Sequence, residues 1–520
     1  MIGSSILVSS LTLIAGFMSF LNQLVMARLF GVSVDMDAYL IAISIPLFVS
    51  GVLSAVLSYS LVPALVAHKA DPVTYRRFAG LLLLSLIVVA MVIACAGFVV
   101  APVQVGILGG SLPAHALADA IQIARISWLT VALALVVGHL NAMHNAARIF
   151  LLPVAVSMLP FVGMIVAGLA FGSEHGPLVI AWGMSAGYLL AIPALLLRSL
   201  PTFDFSTHCL RLWKDVAGYL IRTPLMLLAM LCFTVYQSID AYWAPQVGTG
   251  NLSYLGYAQR ILVGIGTLVI AGPSAVLLPR LAEAHAEGRN IDLLHDTART
   301  MRAVFAFATP PAIFISLLAE PLVRLCFERG AFDHQATLGV AGVLPVMMLG
   351  MVMMLCVVIL FRALFSRHDV TRASLLGILA TVLYFALSGF LSQRWGVNGI
   401  AIAYALSWWL VQVLAALSVW QGHMALLLCR ENRVFAVRMV VIALAMVVVA
   451  IVGRYWLNAF KVESGLLLLQ LGLIAVLACL TYYTVAIRIL KVDEVCIIYD
   501  FLIRKMEAHI PQCNSWFSRY

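Results

Sequence analysis

Charged residues are scarce in this chain: Asp, Glu, Lys and Arg together make up 10% of the 520 residues, whereas 63% are hydrophobic. In soluble globular domains, charged residues make up about a quarter of the sequence. The mean hydropathy of +1.07 points the same way. A chain of soluble domains is therefore excluded, and a lipid bilayer is the expected solvent.

Motifs for metal, redox and nucleotide chemistry are also missing. The nine cysteines include no CxxC pair, and the sequence contains neither a GxxxxGK[ST] loop nor an HExxH pair. We therefore expect no enzymatic activity, no catalytic residue, no metal site and no bound cofactor. Any transport would draw on Na⁺, on H⁺, on the membrane potential or on the gradient of the substrate itself.

The net charge of +9 does not indicate nucleic-acid binding, because the basic residues form no compact patch and no nucleic-acid motif is present. About fourteen apolar runs of helical length lie between residues 5 and 487. Most basic residues lie in the connections after the even-numbered runs. By the positive-inside rule, we expect a multi-pass protein of the bacterial inner membrane with both termini in the cytoplasm.

An internal repeat divides the chain. The first half contains ARLFGVSVDMDAYLIAISI and LVPALVAHKADPVTYRRFAG, which match APQVGTGNLSYLGYAQRILV and LLPRLAEAHAEGRNIDLLHD in the second half. Residues 101–116 likewise match residues 320–335. The repeat is thus roughly 217 residues, or six runs, long, and an even number of runs makes it a parallel repeat about an axis along the membrane normal.

The sequence therefore predicts an all-α polytopic protein of about fourteen transmembrane helices, with two six-helix lobes and an extra helix pair. The expected boundaries are 1–200 for the N-lobe (spans 1–6), 201–425 for the C-lobe (spans 7–12) and 426–490 for spans 13 and 14. Residues 491–520 mix charged and apolar residues, as in a cytoplasmic amphipathic tail.

Few ionisable residues lie at membrane depth, and each is a candidate for function because a charge in hydrocarbon is costly. Arg260 in span 8 either contacts a phosphate or snorkels to the interface. Arg28 and Asp37 bracket the first outer connection and either pair with each other or bind substrate. Asp240 in span 7 either binds a coupling cation or pairs with Arg260. Arg125 near the start of span 4 either faces a cavity, where it would bind substrate, or caps its helix.

Three segments, LLPRLAEAHAEGRNIDL, EPLVRLCFERGAFDHQAT and FRALFSRHDVTRAS, resemble the MurJ (MviN) branch of the MOP (multidrug/oligosaccharidyl-lipid/polysaccharide) superfamily. ARLFGVSVDMDAYLIAISIP and HLNAMHNAARIFLLP fit the same branch, the lipid II flippases of peptidoglycan synthesis. The resemblance implies two lobes plus an extra helix pair, with an inward-open cavity whose arginines neutralise a pyrophosphate. It also implies a lipid-tail groove beside spans 13 and 14, and it assigns substrate binding to Arg28, Asp37 and Arg260.

The chain departs from that family pattern in the predicted cavity. Where the family has arginines in spans 1 and 2, this sequence has residues near Gly16, Asn22 and Ser50, so we expect a less basic cavity. The asparagine-containing sodium site of the family is not evident in LLGILATVLYFALSGF, which weakens the case for sodium coupling through Asp240.

The resemblance implies a flippase that moves an undecaprenyl-pyrophosphate-linked oligosaccharide from the inner to the outer leaflet by alternating access, with lipid II as the first substrate. An exopolysaccharide or O-antigen precursor is the nearest alternative. A MATE-like small-molecule exporter, a membrane glycosyltransferase and a scaffold without transport are weaker ones. The expected partners are the lipid-linked saccharide, the bilayer and enzymes of cell-envelope synthesis, with no nucleic acid.

Overall fold

A computed structural model describes residues 2–56, 65, 71–110, 112–147, 149–199, 232–367, 369–427, 429–459, 464–490 and 492. All regular elements among these residues are helical. The first half contains α1 (Ile2–Phe30), α2 (Val34–Val56), α3 (Pro72–Leu108), α4 (Ala114–Ala146), α5 (Leu151–Val156), α6 (Leu159–His175) and α7 (Leu178–Ser199). The early part of predicted span 7 and nearly all of the predicted tail lie outside the described residues.

The second half continues with α8 and a short 3₁₀ turn. Its elements are α8 (Tyr236–Trp243), the turn Ala244–Val247, α9 (Asn251–Ala286), α10 (Asn290–Leu317), α11 (Ala319–Phe327), α12 (His334–Ser366), α13 (Val370–Val419), α14 (Met424–Leu427), α15 (Arg430–Ala459), α16 (Ser464–Tyr483) and a π-helical end, Thr484–Ile489.

The helices have the length and composition that a membrane protein requires. Twelve described stretches are long and apolar enough to cross a bilayer. One of them, α13, is 50 residues long and is broken at Gly396, where φ is 58°, so it contains both predicted spans 11 and 12. With span 7 only partly described, the order of helices agrees with the predicted fourteen spans.

The repeat is visible in the backbone. The turn 109–113 between α3 and α4 corresponds to the turn 328–333 between α11 and α12. Gly31, after α1, and Gly248, before α9, both have positive φ, 52° and 139°. Both glycines therefore lie next to helix ends at matching positions of the sequence repeat, although their φ values differ.

Local signals explain where α3 begins. Pro72 occupies the first turn, where its missing N–H costs no helical hydrogen bond. Asp71 has an extended conformation and caps the helix: its carboxylate accepts hydrogen bonds from the Thr74 hydroxyl (2.5 Å) and the Val73 amide (3.0 Å). Because both hydrogen bonds favour the ionised form, they lower the pKa of Asp71.

Helices α6 and α7 pack through glycines. A Cβ atom at Gly163 would lie 2.1 Å from the carbonyl oxygen of Gly183, and one at Gly187 would lie 2.5 Å from that of Leu159. The segment GMSAG (183–187) has the spacing of a hydrolase nucleophile motif, but it lies inside α7, and the Ser185 hydroxyl bonds to a carbonyl of its own helix (3.0 Å). These glycines therefore serve backbone contact between helices.

Local contacts divide the chain into two units. The first comprises Met1–Gly264, Cys326–Val343 and Val370–Ser407. The second comprises Ile265–Leu325, Leu344–Asp369 and Trp408–Tyr520, and its core joins α10, α15 and α16 through a cluster that contains Ala306, Met439, Ile442, Met446 and Ala478. This division does not test the predicted lobe boundaries at residues 200 and 425, which stay a prediction.

We expect Gly183→Ala to destabilise the protein by about 1–3 kcal/mol, because the added Cβ would lie 2.4 Å from the Gly163 carbonyl oxygen and overpack the helix pair. Thermal unfolding of the purified protein in detergent measures this loss. Gly472→Ala in α16 is the matched control, since no atom lies within 4 Å of its Cβ position. Equal unfolding temperatures for the two variants would contradict the packing argument.

Candidate functional site

Among the described residues of the first unit, Asp37, in the first turn of α2, accepts the most hydrogen bonds from the other repeat. It is 2% exposed. Its carboxylate accepts hydrogen bonds from the Gly250 amide (2.5 Å), the Ser253 amide (2.9 Å) and the Ser253 hydroxyl (2.6 Å). These amides belong to the start of α9, where a helix leaves N–H groups without partners and carries partial positive charge. Asp37 therefore caps a helix of the other repeat.

Two further hydrogen bonds lie beside this cap. The Ala331 amide donates to the Arg28 carbonyl oxygen (2.9 Å), and the Tyr257 hydroxyl donates to the Gly31 carbonyl oxygen (2.9 Å). A Cβ atom at Gly31 would lie 2.1 Å from the Ala331 carbonyl oxygen, and the positive φ also favours glycine there. We call these two hydrogen bonds and those of Asp37 the Asp37 latch.

An aromatic cluster supports the latch from beneath. The ring centroid of Tyr257 lies 5.4 Å from that of Phe327 and 5.1 Å from that of Phe332, and the two phenylalanine rings are 5.8 Å apart. All three side chains are buried. Such aromatic contacts contribute about 0.5–1.5 kcal/mol each beyond the burial of their area. The cluster therefore holds Tyr257 where its hydroxyl reaches the first repeat.

Arg28 and Asp37 do not pair with each other, so that alternative of the sequence analysis is wrong. The three donors from α9 already satisfy the buried carboxylate of Asp37, as a buried charge requires. Arg28 is exposed and contributes its backbone carbonyl to the latch. The proposed role of both residues in substrate binding stays a prediction.

Asp240 lies in α8 and is 1% exposed. Its carboxylate accepts hydrogen bonds from the Tyr384 hydroxyl in α13 and from the Gln259 side-chain amide in α9. The ring of Tyr384 packs against Tyr236 at 4.7 Å and against Tyr404 at 6.1 Å. The acid is thus enclosed by neutral polar and aromatic side chains.

The predicted ion pair between Asp240 and Arg260 is absent from the described part of the chain. Gln259 and Arg260 are neighbours on α9, and successive helical residues point about 100° apart. The carboxylate faces Gln259. Arg260 instead lines a pocket with Leu40 and Ile43 of α2.

Arg260 and Asp240 nevertheless line one small pocket. Its other lining residues are Leu40, Ile43, Gln237, Leu252, Gly256 and Gln259. The space of about 20 Å³ holds a water molecule or a small ion and is too small for a sugar. The acid and the guanidinium therefore line one pocket without forming an ion pair with each other.

Arg125 lies elsewhere. Helix α4 begins at Ala114, so Arg125 is about three turns into the helix and does not cap it. Its guanidinium carbon lies 4.6 Å from the ring centroid of Phe98 in α3, a cation–π contact. Arg125 does not line the pocket of Arg260 and Asp240. Its assignment to substrate binding stays a prediction.

The three positions of spans 1 and 2 at which the family pattern has arginines are uncharged here and differ in their surroundings. Asn22 is buried, and its side-chain oxygen has no hydrogen-bond partner. Ser50 lines a mainly apolar cavity with Tyr39 and Tyr188. Gly16 has open space at its Cβ position. No positive charge replaces an arginine at these three positions.

The hydrogen-bond partners of Asp37 and Asp240 were not predicted from the sequence. Gly250 and Ser253 were missed although GTGNLS has the pattern of a helix start, whose free amides require an acceptor. Tyr384 and Gln259 carry no such signal, because a single tyrosine or glutamine in an apolar helix is compatible with many partners.

Comparison with known proteins places the chain among transporters. The family model described as lipid II flippase MurJ matches residues 26–471. A probable lipid II flippase MurJ of Buchnera aphidicola subsp. Acyrthosiphon pisum is 21% identical over 473 residues, which cover 88% of this chain and 91% of the relative.

Solved structures show the same fold. A lipid II flippase MurJ in an inward closed conformation aligns with a TM-score of 0.75 at 16% identity, covering 93% of this chain and 99% of that one. An inward-facing MATE multidrug transporter of the MOP superfamily aligns with a TM-score of 0.67 at 14% identity, covering 81% of this chain and 98% of that one.

We expect Asp37→Asn to weaken the latch, because the NH2 group of the asparagine side chain is a donor and would face the donors of α9. The loss of charge-assisted hydrogen bonds should speed hydrogen exchange of the amides at 250–256 by about tenfold or more. Exchange measured by mass spectrometry on the purified protein checks this. Asp35→Asn, exposed and two residues away, is the control and should leave the exchange unchanged. Identical exchange in both variants would show that Asp37 does not hold the latch.

Proposed function

This chain belongs to the MurJ lipid II flippase family, and from that membership we propose that it translocates lipid II from the inner to the outer leaflet by alternating access. The family match over residues 26–471 carries the proposal. The Asp37 latch adds a physical argument, since it joins the two repeats at one end of their helices through contacts that opening at that end must break. A transporter of this kind needs no catalytic residue, and we propose that the chain has no enzymatic activity.

The distribution of basic residues indicates on which side of the membrane the latch lies. With both termini and the even-numbered connections in the cytoplasm, the connections at 31–33 and 248–250 lie on the outer face. The latch is then the outer gate, closed in this state. Release of a substrate outward requires the hydrogen bonds between the Asp37 carboxylate and the start of α9 to break. These hydrogen bonds keep the gate closed.

Arg260 is the residue that we propose to hold the pyrophosphate. Its guanidinium is half-buried and forms no ion pair with Asp240, so its charge remains available to a substrate anion. Arg28 belongs to the outer end of the molecule and Arg125 stacks on Phe98, so both are weaker candidates.

A second candidate substrate is an exopolysaccharide or O-antigen precursor carried on the same lipid. The uncharged Asn22 and Ser50 favour it, because a cavity with fewer cations suits a head group that places fewer anionic groups inside it. Both candidates place the protein in a multi-pass arrangement in the bacterial inner membrane, close to enzymes of cell-envelope synthesis.

Asp240 is the proposed coupling residue. It is a buried carboxylate whose hydrogen-bond donors are neutral. A negative charge at membrane depth is costly, and binding a cation or a proton neutralises it. The groups that face it are Gln259 and Arg260 of α9 and Tyr384 of α13, together with Gln237 and Tyr236 of its own helix. Transport would thereby draw on Na⁺, H⁺ or the membrane potential.

We expect this chain to rescue a bacterium depleted of its lipid II flippase, and Arg260→Ala to lose that rescue. Removing the charge-assisted contact with the pyrophosphate should lower transport by roughly tenfold or more. Colony counts after depletion measure the effect, with membrane insertion of each variant checked by blotting. The control is Arg289→Ala, an exposed arginine paired with Glu287 (2.6 Å) and Asp292 (3.1 Å), which should rescue fully.

Failure of the folded, membrane-inserted wild-type chain to rescue would reject lipid II as the substrate. The same test in a strain that lacks the flippase of an O-antigen precursor would then decide the second candidate.

We expect Asp240→Asn to uncouple transport from its ion gradient, because asparagine keeps the shape of the side chain but exchanges no charge. Flux of fluorescent lipid II into the outer leaflet of proteoliposomes is measured with imposed Na⁺, H⁺ and electrical gradients. The gradient that accelerates the wild type should not accelerate Asp240→Asn, whereas Asp35→Asn should respond as the wild type does. An Asp240→Asn variant that still responds would move the coupling site elsewhere.

A further inference from the structure

A larger cavity lies in the first unit between α4, α5, α6 and α7, and it includes neither Arg260 nor Asp240. Its volume of about 400 Å³ is in the range of small-ligand sites. The polar side chains that line it are Asn141, Asn145, Ser157 and Tyr188, and all of its described lining residues are uncharged. We call it the Asn141 cavity.

Asn141 has an unmet hydrogen-bonding capacity in this cavity. Its side-chain oxygen is buried and has no hydrogen-bond partner. Asn145 lies one helical turn further along α4, so both amides point to the same side of the helix. A buried amide oxygen without a partner is costly, and a ligand that donates a hydrogen bond to it would remove that cost.

The opposite wall contains a break between two helices. Helix α5 ends at Val156 and α6 begins at Leu159, and the two residues between them form a turn with near-helical φ and ψ. Pro160, which lines the cavity with Val156, has no N–H to donate to the Val156 carbonyl. Such irregular backbone at membrane depth is tolerated where it borders a cavity, and broken helices often form the binding sites of transporters.

The cavity adjoins the region in which the substrate is expected. Tyr188 of α7 lines the Asn141 cavity and also the apolar cavity that contains Tyr39 and Ser50 of α2. Ile43 of α2 lines that apolar cavity and also the small pocket of Arg260, the proposed phosphate contact. A molecule with its phosphates at Arg260 therefore has neighbouring space along α4 and α7 for an uncharged part.

We propose that the Asn141 cavity binds the uncharged sugar of the lipid-linked substrate. Side-chain amides and hydroxyls offer both donors and acceptors, which match the hydroxyl and amide groups of a sugar, whereas an uncharged lining gives no support to a phosphate. The inference rests on the proposed function, because it takes the sugar from the transported lipid. It divides the recognition of one substrate between Arg260 for the anion and α4 for the sugar.

The test compares two probes that differ only in the sugar-bearing head group. Affinities of the full-length protein in nanodiscs are measured for lipid II and for undecaprenyl pyrophosphate. We expect the wild type to bind lipid II more tightly, and Asn141→Leu to weaken lipid II binding by roughly fivefold to tenfold while leaving undecaprenyl pyrophosphate binding unchanged. Gln122→Leu, an exposed amide on the same helix, is the control and should change neither affinity.

Equal binding of both lipids by the wild type would overturn the inference and leave the proposed function standing. An equal loss for both lipids in Asn141→Leu would also overturn it, because the effect would then be structural. If Asn141→Leu fails to fold, Asn145→Leu at the exposed end of the cavity provides the same comparison. Binding of neither lipid by the wild type would reject the proposed function as well.

Discussion

The hydrogen bonds between the Asp37 carboxylate and the first amides of α9 are the constraint on which the described arrangement of the first unit depends. A helix start leaves donors that need an acceptor, and a buried carboxylate needs donors, so each removes a cost of the other. The partners lie 213 and 216 positions apart in the chain. Gly31 and Tyr257 find their places beside this contact, and the aromatic cluster packs beneath it.

Asp240 is a second buried acid whose hydrogen-bond donors are uncharged. Its donors are a tyrosine and a glutamine, so both of its hydrogen-bond partners are neutral. Arg260 lines the same pocket but remains unpaired with the acid, and a guanidinium left in this state can still respond to an arriving anion. The polar side chains that line the Asn141 cavity are all neutral. The molecule thus separates its few charges, and this separation makes neighbouring cavities suitable for different chemical groups.

The sequence predicted an all-helical chain of membrane-spanning length, because hydropathy acts locally. Gly31 and Gly248 were aligned from the sequence, and both have positive φ. The two ion pairs predicted from the sequence, Arg28 with Asp37 and Asp240 with Arg260, are not formed. Asp37 accepts hydrogen bonds from backbone amides of the other repeat. Asp240 accepts one from Gln259, the residue next to Arg260. The choice between Gln259 and Arg260 depends on a rotation of one residue about the helix axis, which hydropathy does not specify. The break between α5 and α6 was missed because both prolines, Pro153 and Pro160, lie in one continuous apolar run.

The hydrogen bonds across the latch include five main-chain groups: the amides of Gly250, Ser253 and Ala331 and the carbonyls of Arg28 and Gly31. Main-chain atoms are the same whatever the residue, so substitution at Arg28 or Ala331 alters these contacts less than the gain or loss of a residue in the turns that form them. Asp37 and Tyr257 contribute side-chain atoms, so the latch also requires these two residue types. The side chains that line the pockets take no part in these hydrogen bonds, and they can therefore change without altering the contacts that join the two repeats.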